Sequence, residues 1–285
     1  MTLDPRCQLL PGTYHPALGI VLRALFFRPR IPPGKARHLT SLERVIGRRR
    51  IVVRTEPGFL FACDQQDWLQ RNLLCNRVHE PEITALLRES LNPDDVFFDI
   101  GANSGYFSCL ALSCEVKSVV AFEPDPNTCA VLAQQQKLNN WLRANLRIES
   151  LGLSDRVGTQ TFIRASDSGE SGFGSWPYRQ AVGQVEVGVQ TLDYFCQQAD
   201  MLPTVLKIDV EGWEYPVLCG AEQTLGGGSV RLVVFESESE CDAKGQILDP
   251  RISQLLGDCG FSIRHVPRPS GVIKSTENYQ AYSGG

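Results

Sequence analysis

The chain has 285 residues, of which 42% are hydrophobic and 21% are charged, an ordinary composition for a globular protein with a buried core. Its formal net charge of −4 gives no general case for nucleic acid as a partner. The ten cysteines form no CxxC pair and no cluster with histidine, which argues against a disulfide framework or a zinc site and favours a reducing, cytoplasmic location.

Residues 1–54 are interpreted as a basic arm. They carry eleven Lys or Arg against two acidic residues, a net charge of +9 that leaves −13 for the remainder. We expect the arm to pack on this acidic remainder, with an anionic substrate, a membrane surface or RNA left open as other partners. The apolar run 17–27 contains Arg23, is too short to span a bilayer and lacks a cleavage site. No transmembrane or secretory segment is therefore predicted.

A small accessory region follows the arm. Two short strands are predicted at 50–54 and 58–63, on either side of a turn at 56–58. Helices are predicted at 64–76 and 80–91, the second with Pro81 in its first turn. We therefore divide the chain into an N-terminal arm with accessory region, residues 1–75, and a main domain, residues 76–285.

From residue 94 onward, apolar strand-like runs alternate with helix-like segments, which predicts an α/β fold with a parallel sheet and helices on both faces. Extra strands at 159–164 and 185–189 and antiparallel edge strands at 261–266 and 271–281 are also expected, with Thr191 as a helix N-cap. The strands of the parallel sheet are predicted at 96–100, 118–122, 146–149, 205–210 and 231–235, and the helices at 105–114, 126–140 and 212–225.

A glycine-containing loop follows the first strand of this sheet. The strand runs directly into Gly101-Ala102-Asn103-Ser104-Gly105, and a helix begins near Tyr106. Ligands of open α/β sheets bind beyond the carboxyl ends of strands, where the strand order reverses. Glycine lets the backbone approach a ligand closely, and the carboxylate of Asp99 could order the loop or balance a cationic ligand group. The loop predicts a cofactor site.

The next two strand ends extend this site. Glu123 ends the second strand about twenty residues after the loop, where an acidic side chain can accept both hydroxyls of a ribose. Leu151 and Gly152 follow the third strand and are expected beside an adenine ring. Together with the loop, these residues predict an adenosine-type cofactor.

A nicotinamide dinucleotide is the competing cofactor. Its fingerprint, GxGxxG, places a pyrophosphate at a helix N-terminus. The loop at 101–105 lacks the second glycine, and Asp99 would repel a pyrophosphate. The same acid suits a zwitterionic ligand that carries a sulfonium, so S-adenosylmethionine is favoured.

These segments resemble the FkbM family of methyltransferases. The resemblance extends over about residues 75–240, and the first 50 residues lie outside it. It implies a Rossmann-like class I methyltransferase fold, S-adenosylmethionine as cofactor, and methyl transfer to a hydroxyl, often on a sugar or a secondary metabolite. The matching stretches are HEPE at 79–82, DIGANSGYF at 99–107, FEPDP at 122–126, LSD at 153–155, TLD at 191–193 and LKIDVEGWE at 206–214.

The cofactor-binding residues are assigned from the strand ends and from this resemblance. They are Glu80, Asp99, Gly101, Ala102, Asn103, Ser104, Gly105, Tyr106, Glu123, Pro124, Leu151, Gly152 and Asp209.

The strand at 205–210 supplies the candidate catalytic residues. Lys207, Asp209 and Glu211 alternate along it and are expected on one face. Charges within a buried strand are costly unless partners or ligands satisfy them, which favours a functional role. Because an alcohol is a poor nucleophile, methyl transfer needs a group that orients or deprotonates it. We assign Asp209 to the methyl-donor side and Lys207 and Glu211 to acceptor orientation or deprotonation.

Glu214 and Glu236 are expected to bind the acceptor. Glu214 lies three residues after Glu211 and can share a helical face with it, and Glu236 stands at the tip of the neighbouring strand. An ion pair of Lys207 with Asp209 or Glu211 that only holds the sheet end together is the alternative. Asp209, Glu211 and Glu236 also offer oxygen ligands to a divalent metal, but their spacing does not support one and we assign no metal.

The sequence thus predicts an S-adenosylmethionine-dependent O-methyltransferase acting on a hydroxyl of a small molecule or a saccharide. An RNA methyltransferase that uses the basic arm is one alternative, disfavoured because no RNA-binding signature is found and the catalytic part is acidic. A non-catalytic scaffold that binds S-adenosylmethionine is the other. A homo-oligomer, with or without help from the arm, is left open.

Overall fold

The computed structural model describes residues 7–8, 50–64, 67, 70, 73, 76–139, 145–166, 168–173, 181–238, 248–268 and 276–284. These residues belong to two compact units, divided between His79 and Glu80. Most of the basic arm (residues 1–6 and 9–49) and most of the helix predicted at 64–76 lie outside the described residues. The domain boundary at residue 75 stays a prediction.

The first unit contains a small antiparallel sheet of β1 (Cys7–Gln8), β2 (Arg50–Arg54) and β3 (Leu60–Asp64), in that order. β2 has the predicted bounds, and β3 begins two residues later than predicted. The reason is a turn in which the backbone N–H of Thr55 donates to the Phe59 carbonyl at 2.9 Å, and Gly58 adopts a φ of 106°.

The second unit contains the main domain. Its helices and strands are, in chain order, α1 (Pro81–Ser90), β4 (Val96–Ile100), α2 (Tyr106–Ser113), β5 (Ser118–Phe122), α3 (Pro126–Leu138), β6 (Leu146–Glu149), β7 (Gly152–Leu153), β8 (Gly158–Ala165), a 3-10 turn (Ser168–Glu170), β9 (Gly172–Phe173), β10 (Ala181–Gln190), α4 (Leu192–Ala199), β11 (Val205–Ile208), α5 (Glu214–Cys219), α6 (Glu222–Gly226), β12 (Leu232–Glu238), α7 (Pro250–Asp258), β13 (Phe261–Val266) and β14 (Thr276–Ser283).

Within the described residues, the main sheet has seven strands in the order β13-β14-β12-β11-β4-β5-β6. The five strands from β12 to β6 are parallel, and β14 pairs antiparallel with both β12 and β13. The strand predicted at 261–266 is present at the edge as β13. The strand predicted at 271–281 corresponds to β14, which spans Thr276–Ser283 and lies between β12 and β13 instead of at the edge. The chain passes from β4 to β5 and β6 on one side and returns to β11 and β12 on the other. The strand order thus reverses between β4 and β11, where a ligand site is expected.

Helices cover both faces of this sheet, as predicted. Every residue of β4 is buried, and neighbouring residues of a strand point to opposite faces. On one face the ring of Phe98 lies 5.7 Å from the ring of Phe195 in α4. On the other face Lys207, which is in register with Asp99, lies over the ring of Phe107 in α2. The α/β fold class is confirmed.

Four short strands form a separate sheet in the order β7-β10-β8-β9. The strands predicted at 159–164 and 185–189 are its two long members, β8 and β10, and they pair antiparallel. Thr191 caps α4 as predicted, because its hydroxyl accepts the N–H of Tyr194 at 3.0 Å. We call these four strands the small sheet.

Several predicted elements have different bounds, and two of these differences adjoin the site. The helix predicted at 212–225 is two helices, α5 and α6. The break includes Gly220, where a Cβ would lie 2.0 Å from the Ser154 carbonyl oxygen. The strand predicted at 205–210 ends at Ile208. No helix in the described ranges is long and apolar enough to cross a membrane.

Candidate active site

The loop 101–105 joins β4 to α2 at the point where the strand order reverses. Gly101 and Gly105 adopt φ angles of 79° and 88°, which glycine permits. A Cβ on Gly101 would lie 1.9 Å from the backbone oxygen of Asp209, and one on Gly105 would lie 2.8 Å from Leu132. The glycines are thus required by the packing of the protein itself. Gly101 brings the cofactor loop against the segment that follows β11.

Asp99, at the end of β4, is 1% exposed. Its Oδ2 accepts the hydroxyl of Ser108 at 2.6 Å, while its Oδ1 has no hydrogen-bond partner among the described residues. Burial raises the pKa of Asp99, and Lys207 and the Ser108 hydroxyl oppose that rise. An acceptor of this kind is available to a donor from a bound ligand.

Glu123 follows β5 and is 6% exposed. Its Oε2 accepts the N–H of Asn103 and its Oε1 accepts the N–H of Asp125, both at 2.9 Å. Burial raises the pKa of Glu123 to about 7, although these two N–H groups lower it. The side chain therefore ties the loop after β5 to the loop after β4. Its predicted contact with a ribose stays a prediction.

The other predicted cofactor residues lie around these loops. Ala102 and Ser104 are buried within the loop, and Pro124 is buried directly after Glu123. The Tyr106 hydroxyl lies 3.3 Å from that of Thr84 in α1. Glu80 precedes α1 with a φ of 39° and raises the pKa of Lys207, which indicates that its charge lies near that side chain.

The two residues predicted beside an adenine have their own packing partners. Leu151 is partly buried against the main core. Gly152 is itself in β7 of the small sheet, and a Cβ on it would lie 2.6 Å from the ring of Phe173 in β9. Their place beside an adenine stays a prediction.

Lys207 forms an ion pair with Asp209. Its Nζ donates to Asp209 Oδ2 at 2.9 Å and lies 4.5 Å from the centre of the Phe107 ring. Burial opposes its charge, but Asp209, Asp99 and Glu80 together raise the pKa of Lys207 above its ordinary value. Lys207 is therefore a lasting cation that can orient other groups, and it is not suited to remove a proton. The ion pair that we considered as an alternative is present.

A tight turn follows β11, and it replaces the last two residues of the predicted strand. Glu211 and Gly212 have φ angles of 54° and 89°. The carboxylate of Glu214 closes the turn, since its Oε1 accepts the N–H groups of Val210 and Gly212 at 3.1 and 3.3 Å. Strand alternation therefore does not extend to Glu211. We call residues 209–214 the catalytic turn.

Three carboxylates nevertheless meet at this turn. Ligand oxygens of Asp209, Glu211 and Glu236 all lie within 4.8 Å of one another. Cations already stand beside two of them, because Lys207 pairs with Asp209 and Arg268 Nη2 lies 3.1 Å from Glu236 Oε1. The oxygen set suits a hard metal ion. The two cations compensate much of its charge, and we assign no metal.

Glu214 is 3% exposed, and burial raises its pKa to about 8, with Asp209 and Glu236 adding to the rise. One of its oxygens is used inside the catalytic turn, so its predicted contact with the acceptor stays a prediction. Glu236 is 9% exposed, and its Oε1 also accepts the hydroxyl of Thr276 in β14. Arg268, which follows β13, and Thr276, the first residue of β14, are not predicted from the sequence, because no motif marks this part of the chain.

The strand registers align several of these residues on one face. Asp99 is in register with Lys207, Lys207 with Val234, and Glu236 with Asn278. Residues in register share a face, as do residues two apart along a strand. Asp99, Lys207, Glu236 and Asn278 therefore form one row across four neighbouring strands. We call it the polar row.

The small sheet contacts both sides of the site. Arg164 in β8 binds Asp125 with two hydrogen bonds, of 2.8 and 2.7 Å, directly beside Glu123. Trp213 of the catalytic turn donates to the Ser154 hydroxyl at 3.2 Å, and its ring lies 5.7 Å from that of Phe173. These contacts were not predicted from the sequence.

The sheet, the loop after β4, the acid after β5 and the catalytic turn define a Rossmann-like class I methyltransferase domain. A sequence model described as the methyltransferase FkbM domain matches residues 99–263. The chain belongs to the FkbM methyltransferase family.

Individual relatives were also found. The hexuronic acid methyltransferase AglP of Haloferax volcanii is 30% identical over 196 residues, which cover 64% of this chain and 70% of that protein. The crystal structure of methyltransferase FkbM from Methylobacillus flagellatus KT has a TM-score of 0.48 and 14% identity. That match covers 68% of this chain and 45% of the other, so this chain spans less than half of it. The crystal structure of P. horikoshii TYW2 in complex with MeSAdo has a TM-score of 0.49 and 10% identity. That match covers 90% of this chain and 86% of the other.

Proposed function

We propose that this protein is an S-adenosylmethionine-dependent O-methyltransferase whose acceptor is a hydroxyl of a saccharide. The observation that carries the proposal is the close packing of Gly101 on the backbone of Asp209. It sets the cofactor loop beside three clustered carboxylates, so a methyl donor and an acceptor would meet there. The name of the Haloferax volcanii relative, hexuronic acid methyltransferase, supports a saccharide acceptor.

The residues of the cofactor side fit S-adenosylmethionine. The buried and unsatisfied Oδ1 of Asp99 suits a cationic donor, and the carboxylate of Glu123 suits a ribose. Asp99, Glu123 and the loop 101–105 would hold the cofactor. When bound, it supplies an electrophilic methyl group on a sulfonium.

The acidic cluster can activate the acceptor. The carboxylate of Glu211 would take the proton of the acceptor hydroxyl as the oxygen attacks. Lys207 is not the base, because it keeps its own proton. The ammonium of Lys207 orients Asp209 through the 2.9 Å ion pair. Arg268 and Thr276 hold Glu236 through its Oε1. Holding both reactants in line supplies much of the remaining acceleration.

The proposal is tested with labelled S-adenosylmethionine and a panel of neutral and acidic saccharides, with the methylated position found by mass spectrometry. Glu211→Gln should lower kcat about 10²–10⁴-fold, the usual contribution of a general base. Its Kd for S-adenosylmethionine, measured by calorimetry, should stay within about threefold, a difference of roughly 0.6 kcal/mol.

Glu222→Gln, at an exposed position at the start of α6, is the control and should retain full activity. Turnover of Glu211→Gln close to that of the wild type would remove Glu211 from the mechanism. If the protein binds S-adenosylmethionine tightly but methylates no saccharide, the non-catalytic scaffold is favoured. If it transfers methyl groups to RNA and loses this activity without residues 1–54, the RNA methyltransferase is favoured.

A further inference from the structure

Two buried hydrogen-bond donors stand at the far end of the polar row. Among the described residues, Arg268 Nη1 and Asn278 Nδ2 have no hydrogen-bond partner. The Arg268 side chain is 6% exposed and Asn278 is 4% exposed. Native proteins satisfy nearly all such groups. Two unsatisfied donors in one region therefore point to acceptor atoms that a ligand brings.

Both donors belong to residues that surround Glu236. Asn278 lies directly opposite Glu236 in the antiparallel pair of β14 and β12, so their side chains share a face. The other guanidinium nitrogen of Arg268, Nη2, lies 3.1 Å from Glu236 Oε1 and 3.4 Å from the hydroxyl of Thr276. Because Glu236 also belongs to the acid cluster with Asp209 and Glu211, the donors adjoin the proposed acceptor site.

The surrounding charge selects the kind of group that fits. Arg268 has two carboxylate neighbours, Glu236 at 3.1 Å and Glu82 at 3.7 Å, and Glu211 lies close to Glu236. A further carboxylate would add a like charge to this set. A hydroxyl adds no charge, can accept a hydrogen bond from Arg268 or Asn278, and can donate its own proton to a carboxylate.

We propose that Arg268 and Asn278 form a recognition subsite that donates hydrogen bonds to hydroxyl oxygens of the saccharide acceptor, beside the hydroxyl that is methylated. This subsite rests on the proposed function. It accounts for the two unsatisfied donors and extends the acceptor site along the polar row from the parallel strands to the antiparallel pair. Arg268 and Asn278 act in binding, and the proton transfer stays with Glu211.

The test uses the full chain with a saccharide found to be a substrate. Arg268→Lys keeps the positive charge but removes the second guanidinium arm, and Asn278→Leu removes the amide donor at similar size. Each should raise KM for the saccharide about 10- to 100-fold, because a polar subsite discriminates by the hydrogen bonds that it makes. For Asn278→Leu, kcat should change less than about threefold and the Kd for S-adenosylmethionine should not change, because the proposal gives this donor a role in saccharide binding alone.

The control is Arg264→Lys, an exposed arginine in β13, which should leave KM unchanged. The wild type supplies a second measurement that needs no variant. Saccharides that lack one hydroxyl next to the methylated position should show the same rise in KM, and a carboxylate at that position should not restore affinity. On such a deoxy saccharide, the KM of each variant should be only slightly higher than the KM of the wild type.

The subsite would be contradicted if both variants fold and keep the KM of the wild type. It would also be contradicted if every deoxy saccharide had the same KM as the parent saccharide. Neither result would contradict the proposed methyl transfer. If the wild type methylates no saccharide, the proposed function fails and the subsite fails with it.

Discussion

The proposed cofactor side and the proposed acceptor side of this site are held in place by different kinds of contact. On the cofactor side, Gly101 packs on a backbone oxygen, and both oxygens of Glu123 bind backbone N–H groups. On the acceptor side, charged side chains neutralise one another, Lys207 with Asp209 and Arg268 with Glu236. The cofactor side therefore depends on backbone shape, and the acceptor side depends on a balance of side-chain charges.

Both sides share one device, a buried carboxylate that closes a turn. Glu123 closes the cofactor loop, and Glu214 closes the catalytic turn by accepting two backbone N–H groups. Burial raises the pKa of Glu123 to about 7 and that of Glu214 to about 8. Backbone shape thus matters on the acceptor side as well, beneath its ion pairs.

The largest effect is expected where the two sides meet. Gly101→Ala would place a Cβ 1.9 Å from the Asp209 carbonyl oxygen at a φ of 79°. Because both the clash and the left-handed conformation oppose it, the variant should lose about 3–4 kcal/mol of unfolding free energy in urea. It should also bind S-adenosylmethionine more weakly.

The control for this variant is Gly158→Ala in β8, where a Cβ would meet nothing within 4 Å. It should change the unfolding free energy by less than about 0.5 kcal/mol. Equal stability of the two variants would show that the close contact of Gly101 with Asp209 is absent in solution.

A smaller effect is expected from pH at the catalytic turn. The pKa of Glu214 is about 8 in the folded chain against an ordinary 4.5, so the folded state binds its proton more tightly. The stability from this group is complete below pH 4.5 and is lost as pH rises through 8. Glu214→Gln keeps an oxygen that accepts the Val210 and Gly212 N–H groups but cannot ionise.

Urea unfolding at pH 5 and pH 8 measures this loss. The wild type should be less stable at pH 8 than at pH 5, and the contribution of Glu214 to this difference should be on the order of 3 kcal/mol. Glu214→Gln should remove that part, and Glu123 should account for a remaining slope. The exposed Glu222→Gln should behave like the wild type. An unchanged pH dependence in Glu214→Gln would mean that Glu214 ionises freely in the folded chain.

The contrast between the two sides also explains what the sequence could predict. The strands at 96–100, 118–122 and 146–149 have the predicted bounds because each is a local apolar run that ends at turn residues. The sequence predicts that Gly101 lets the backbone approach another group closely. It does not predict that this group is the backbone of Asp209, because the contact depends on β11 lying beside β4.

The acceptor side was harder to predict for the same reason. The predicted strand 205–210 is two residues too long. The Glu214 carboxylate accepts the N–H groups of Val210 and Gly212 and closes a turn where the strand would continue. Arg268, Thr276 and Asn278 were missed because β14 lies between β12 and β13, an order that local patterns do not encode. Lys207 and Asp209 are predicted because charges in a buried strand are conspicuous. The partners of Glu236, in contrast, come from near the end of the chain.

The small sheet offers the finest distinction between the two sides. Arg164 reaches the cofactor side through its paired hydrogen bonds to Asp125, whose N–H binds Glu123. Trp213 joins the catalytic turn to Ser154 and to the ring of Phe173. The first contact is made by β8 and the second involves Phe173 of β9, so each can be removed separately.

Each contact is expected to contribute about 1 kcal/mol, so its loss should change one quantity about fivefold. Arg164→Met should raise the Kd for S-adenosylmethionine and leave kcat unchanged, because it frees the Glu123 loop alone. Trp213→Leu should lower kcat and leave that Kd unchanged, because it loosens only the turn that carries Glu211. Arg156→Met, an exposed arginine before β8, is the control and should change neither. Equal effects of Arg164→Met and Trp213→Leu on both quantities would mean that the small sheet couples the two sides of the site, so that they do not respond independently.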